Sequence, residues 1–176
     1  EGIEHLENPF AFLREAHRAT QYYAKHIDSR GVFDLKPEYD IKYSYGESLS
    51  ADYWLTGDAH LLDVLRRMVP AFDTFNVVYK LDTNFWTERH AATKLMGYVT
   101  AFELLGDAAV GQKAKDTFSA LVKMQNEPVA GPRTGGLMHT SYSHGEGNGE
   151  LIASPWMSTL LIDAVERYYI HSGDAR

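Results

Sequence analysis

The segment Gly135–Glu150 holds the densest collection of groups able to move protons. It runs Gly-Gly-Leu-Met-His139-Thr-Ser-Tyr142-Ser-His144-Gly-Glu146-Gly-Asn148-Gly-Glu150. Five glycines among these sixteen residues let the backbone approach a ligand closely, while histidine, tyrosine, carboxylate and amide side chains supply acids, bases and hydrogen bonds. In an enzyme site Tyr142 and His144 would serve as proton donor and base. Glu146 or Glu150 would be their carboxylate partner, and His139 a ligand contact. The same composition also suits a polar Ω-type loop with solvated histidines. Zinc is not expected, because a His-x4-His-x-Glu loop lacks the helical His-x3-His spacing that preorganises such ligands. No cofactor is implied either.

Asp82-Thr-Asn84-Phe-Trp86-Thr87-Glu88-Arg89-His90 is the second candidate. Thr87 or Asn84 caps a helix, which sets Glu88, Arg89 and His90 in its first turn. Glu88 there is a candidate general acid or base, with His90 beside it. Arg89 would hold an acidic sugar, Trp86 would stack on a pyranose face and Asn84 would hydrogen-bond it. The alternative is structural: a glutamate favours a helix N-terminus electrostatically, and the histidine packs. A third group comprises Asp34, Tyr39, Asp40, Tyr43, Tyr45 and Glu47, near Phe33. Aromatic faces with planar polar groups suit sugars. Tyr39 and Tyr43 read as layer-end packing, whereas Tyr45 and Glu47 are kept as ligand contacts. Trp156, in the helix start Ser154-Pro155-Trp156, either frames the pocket or packs. His5, His17, His26, His60 and His171 show no partner pattern.

These residues need a scaffold, and hydrophobic spacing makes it helical. Phe12, Ala16, Ala19, Tyr23 and Ile27 recur every three or four residues behind Asn8-Pro9. Leu61, Leu65, Met68, Phe72 and Phe75 repeat the pattern, as do Ala92, Leu95, Met96, Val99 and Phe102. Val110, Ala114, Phe118, Leu121 and Val122 follow, then Met157, Leu160, Leu161, Ala164, Val165 and Tyr168. A shorter helix covers Gly46 to Leu55. Strand alternation is absent, apart from a local pairing option in Asn76–Leu81. The expectation is an all-α chain of about six helices.

One signature recurs three times: Tyr53-x3-Gly57-Asp58-Ala59, Phe102-x3-Gly106-Asp107-Ala108 and Tyr169-x3-Gly173-Asp174-Ala175. Glycine takes the left-handed position that ends one helix, and aspartate caps the next, which closes an αα-hairpin. Consecutive helices then run antiparallel, with the Gly-Asp turns at one end and the long connections at the other. Long connections are where function concentrates, so the long-loop face is the expected working face.

Hairpins of this kind, with long variable loops opposite, resemble the (α/α) toroids of the six-hairpin glycosidase-like group. Gly46-Glu47 ahead of Ala51-Asp-Tyr-Trp-Leu-Thr-Gly-Asp58 is similar to an inner-helix start in such proteins, and so is Glu88-Arg-His-Ala-Ala ahead of Ala101-Phe-Glu-Leu-Leu-Gly-Asp107. The resemblance covers most of residues 43–176 and implies carbohydrate chemistry. Its specific part is the turn, which speaks to fold, and no family's catalytic motif is matched. The third turn stands at Arg176, so the chain is expected to be one domain that forms part of a longer toroid. The remainder of the toroid, or a neighbouring chain, would pack on the last helix.

Composition limits the alternatives. The 176 residues are 44% hydrophobic and 23% charged, a profile that suits a packed domain. A net charge of −7 argues against nucleic-acid partners. No apolar run approaches the ~20 residues of a membrane span, so no membrane partner is expected. The absence of cysteine removes disulfide and thiolate chemistry. The chain opens on Glu1, not methionine, which leaves room for an upstream signal and a periplasmic or secreted location. The leading expectation is a glycoside hydrolase-like enzyme. The competing ones are a toroid lyase, a sugar epimerase, and a non-catalytic module that binds glycan or protein.

Overall fold

The computed structural model describes residues 9–36, 40–75, 87–127, 135–144 and 147–176. The fold is all-α. Its six α-helices among the described residues are α1 (Pro9–Lys25), α2 (Gly46–Thr56), α3 (Ala59–Asp73), α4 (Glu88–Leu105), α5 (Ala108–Asn126) and α6 (Pro155–Ser172). The recurring turns behave as their residues dictate. Gly57, Gly106 and Gly173 each end a helix at φ of 71°, 64° and 66°, the left-handed region where a side chain would strain. Asp58 and Asp107 then accept the backbone N–H of His60 and Ala109, which caps α3 and α5.

Contacts between helices fix their directions. Glu88 and Arg89 at the start of α4 meet Ser154 and Trp156 at the start of α6, and Glu103 near the end of α4 meets Arg167 of α6. These two helices therefore run parallel. At the end of α3, Phe72 packs edge-on to Tyr98, and just beyond it Phe75 stacks on His90 in the first turn of α4, so α3 runs against α4. The result is a layer of α2, α4 and α6, with α1, α3 and α5 running the other way.

The core lies around α4, whose Ala91, Leu95, Tyr98, Val99 and Ala101 are buried against Leu61, Leu65, Met68 and Phe72 of α3 and Leu161, Ala164 and Tyr168 of α6. Each fully buried leucine, phenylalanine or methionine contributes about 1.5–3 kcal/mol relative to exposure. Gly97 allows the closest approach: a Cβ there would sit 2.3 Å from the Phe72 ring.

Three expectations fail locally. Phe12, Ala16 and Ala19 are exposed, and α1 buries only its last turns, through Thr20, Tyr23 and Ala24. Phe102 and Leu160 also remain exposed, the first over Gly111 and the second beside a groove. A two-residue ladder, β1 (His139–Thr140) with β2 (Leu151–Ile152), closes the glycine-rich segment where no strand was expected. The Asn76–Leu81 pairing option lies outside the described residues. No described helix is long and apolar enough to cross a membrane.

Candidate functional site

Thr87 takes the extended N-cap conformation ahead of α4, but its side chain makes no capping bond. Its hydroxyl instead meets His90 Nδ1 at 2.6 Å, and His90 Nε2 meets Asp40 Oδ1 at 2.9 Å. With Nε2–H given to the carboxylate, a neutral ring accepts the threonine proton at Nδ1. Lys42 Nζ lies 2.6 Å from the other Asp40 oxygen. Burial pushes the Asp40 carboxyl up, yet hydrogen bonds from His90 and Lys42 outweigh it and hold the group down at about 2. Hydroxyl, imidazole and carboxylate stand in the order of a nucleophilic triad. All three are buried, however, and the Phe75 ring stacks on His90 at 4.7 Å, so no substrate reaches the hydroxyl.

Glu88 is sealed as well. Its side chain is 0% exposed, one oxygen accepts Ser154 N–H at 3.0 Å, and the other lies 2.7 Å from Nδ1 of His139, which is itself 0% exposed. This pair clamps the 139–154 segment onto the start of α4. The glycine-rich segment thus does reach the end of the layer that carries Glu88 and His90, opposite the Gly57 and Gly106 turns. Glu150 works inside that segment: it accepts Asn148 N–H at 2.7 Å and the Ser141 hydroxyl at 2.9 Å. The Asn148 amide and these neighbours hold its carboxyl below the usual range. Tyr142 stands half exposed with its ring over Gly149. The His144 backbone closes the 3-10 turn Ser141–His144, but its side chain lies outside the described ones, as do Glu146, Asn84, Trp86 and Tyr39.

The open site lies beside these sealed pairs. A groove of about 330 Å³ runs between the Lys42–Glu47 stretch and α6, with Ala92, Thr93 and Met96 of α4 as its floor. Arg89 stands at its upper end, its guanidinium 5.8 Å from the centre of the Tyr43 ring and 5.9 Å from that of Trp156. Trp156 is 54% exposed and Tyr45 47%, so two aromatic faces border the groove. Glu47 and Asp163 line it further along. Burial pushes the Glu47 carboxyl above its usual range, and the charges of Asp163 and Glu103 add to this against the pull of Arg167. Glu103 in turn holds Arg167 and His171. Among the described residues no group of three or more histidines, aspartates and glutamates is placed to hold a metal ion.

No family model, no curated protein and no solved structure matches this chain. Function must be argued from the groove.

The structure brings together Tyr45, Glu47, Arg89 and Trp156, and separates them from the buried Glu88, His90 and His139. Lys42 and Asp163 also line the groove, although neither was singled out from sequence. For Asp163 a signal existed: Trp156, Leu160 and Asp163 share one helical face. Three histidines that looked unpartnered have carboxylate partners: His17 with Asp52 at 2.8 Å, His26 with Asp34 at 2.9 Å and His171 with Glu103 at 2.5 Å.

Proposed function

We propose that the chain is carbohydrate-active and of glycoside-hydrolase type, taking an oligosaccharide into the groove between α2, α4 and α6. The observation that carries this reading is one juxtaposition. Exposed Tyr45 and Trp156 flank a mostly buried Glu47 whose carboxyl is held above its usual range, with Asp163 nearby. Aromatic faces suit the C–H patches of a pyranose, and a raised carboxyl is the form that delivers a proton near neutrality. Glu47 donates its proton to the glycosidic oxygen as the bond to the anomeric carbon breaks. Asp163 takes a proton from the water that adds to that carbon. The alternation of α2, α4 and α6 with oppositely running helices supports a place within an (α/α) toroid.

The test is reducing-sugar release across a panel of oligosaccharides, with binding followed by calorimetry. Turnover should fall roughly 10²–10⁴-fold in Glu47→Gln, the usual cost of losing a general acid. Binding without turnover in the parent protein assigns a non-catalytic module instead, and an unsaturated product assigns a lyase. Neither binding nor turnover on the panel overturns the proposal.

A further inference from the structure

We infer that the upper end of this groove is a subsite for a carboxylate-bearing sugar, a uronate, held by Arg89 against Trp156. The inference rests on the groove being a glycan site and adds the substrate class. Arg89 sits in the first turn of α4, where the helix dipole already places positive charge, so a cation there is disfavoured unless something anionic offsets it. Among the described residues no carboxylate lies within ion-pair distance of its guanidinium. Its guanidinium makes a long 3.4 Å hydrogen bond to the Lys42 carbonyl. The guanidinium lies over the Tyr43 and Trp156 rings, contacts that, among the described residues, leave its N–H donors available to a ligand.

Lys42 stands close enough that the Arg89 charge works against its own, although the net effect of Asp40 is to raise the ammonium above its usual range. Its pairing with Asp40 neutralises that buried carboxylate and leaves Arg89, among the described residues, as the charge without an ionic partner at this end of the groove. A second observation is independent of charge. Ser44 lines the same groove, is 4% exposed, and its Oγ has no hydrogen-bond partner among the described residues. Buried hydroxyls are normally satisfied, so an idle donor in the wall of this groove points to an acceptor supplied by a ligand.

The groove is also polarised along its length. Asp163 lies roughly 10 Å beyond Trp156 along α6 at 1.5 Å per residue, so the acidic end stands apart from the cationic one. A planar carboxylate matches the guanidinium fork in two parallel bonds, whereas a neutral hydroxymethyl group at the same ring position does not.

Titration calorimetry on the whole chain tests this with oligogalacturonate and oligomannuronate tetrasaccharides, matching neutral tetrasaccharides, and a sulfated neutral one. A uronate should bind roughly tenfold or more tighter than its neutral counterpart, as expected for hydrogen bonds to a charged group. That preference should shrink with added salt, collapse in Arg89→Met and survive in part in Arg89→Lys. Arg66→Ala, on an exposed face of α3, should leave it unchanged. Equal binding of neutral and uronate sugars, with Arg89→Met without effect on the ratio, overturns the uronate subsite but leaves the glycan groove standing. Equal binding of the sulfated sugar overturns the carboxylate assignment in favour of a general anion site. No binding by any of the sugars overturns both readings.

Discussion

Glu47 and Glu88 each stand in the first turn of a helix of the same layer, and their surroundings are opposite. Glu88 is enclosed by His139 and the Ser154 amide, partners that arrive from far along the chain. Glu47 is withdrawn from water beside Asp163 and Glu103, whose charges act against the pull of Arg167. A buried carboxylate with a close partner is a fastener, and removing the partner is costly. One that is desolvated among other acids holds its proton to higher pH, which suits it to proton transfer. Carboxylates at matching places in successive hairpins are thus divided into different duties by what packs over them.

That contrast predicts unequal mutants. His139→Ala leaves one oxygen of the buried Glu88 carboxyl without its partner, so stability should fall by about 3–5 kcal/mol. Thermal unfolding should then shift down by about 6–20 °C for a chain of this size. A shift of only a degree or two would remove the distinction between the two glutamates. Asp40→Asn is next. An unfolded carboxyl near 3.9 and a folded one at about 2 mean stability that is present above pH 4 and lost as the pH falls toward 2. The variant should lose about 2 kcal/mol at pH 7, and denaturant titrations should show the gap closing between pH 4 and pH 2.

Glu47→Gln should act with the reverse sign. Its folded carboxyl is held up, so the native state keeps a proton that the unfolded chain releases. Stability is then full below about pH 4 and declines as the pH rises through the folded value. The amide removes this loss: melting temperature should rise at pH 7 and match the parent near pH 4. A lower melting temperature at pH 7 would show that Glu47 is paired after all. The smallest effect belongs to Trp156→Ala, where an exposed ring should change stability by no more than about 0.5 kcal/mol by denaturant titration, while glycan binding weakens.

Much of the scaffold was readable from local chemistry. Glycine followed by aspartate fixes the ends of α2, α4 and α6 because both residues act within one turn of their own position. The stripes of α3 and α5 bury as spaced, since each packs against α4. The site was less legible. Thr87, placed as a cap, turns its hydroxyl to His90 because a buried imidazole bound to Asp40 needs a hydrogen-bond partner on its other nitrogen. Glu88 and Glu47 look alike in sequence, and their difference in depth is set by the 139–154 segment and by α6. On α1, Phe12 and Ala16 keep helical spacing but stay exposed.

Gly97 gives α4 a mechanical character. With a single hydrogen facing the Phe72 ring, the glycine acts as a fulcrum on which α3 and α4 rest. The start of α4, with Glu88, Arg89 and His90, lies roughly 14 Å away at 1.5 Å per residue. A methyl group wedged at the fulcrum and tipping the helix by about 5° would swing that end by about 1 Å, a displacement on the scale that degrades a positioned site. The lever arm makes a position that touches no ligand a control on the geometry of the groove.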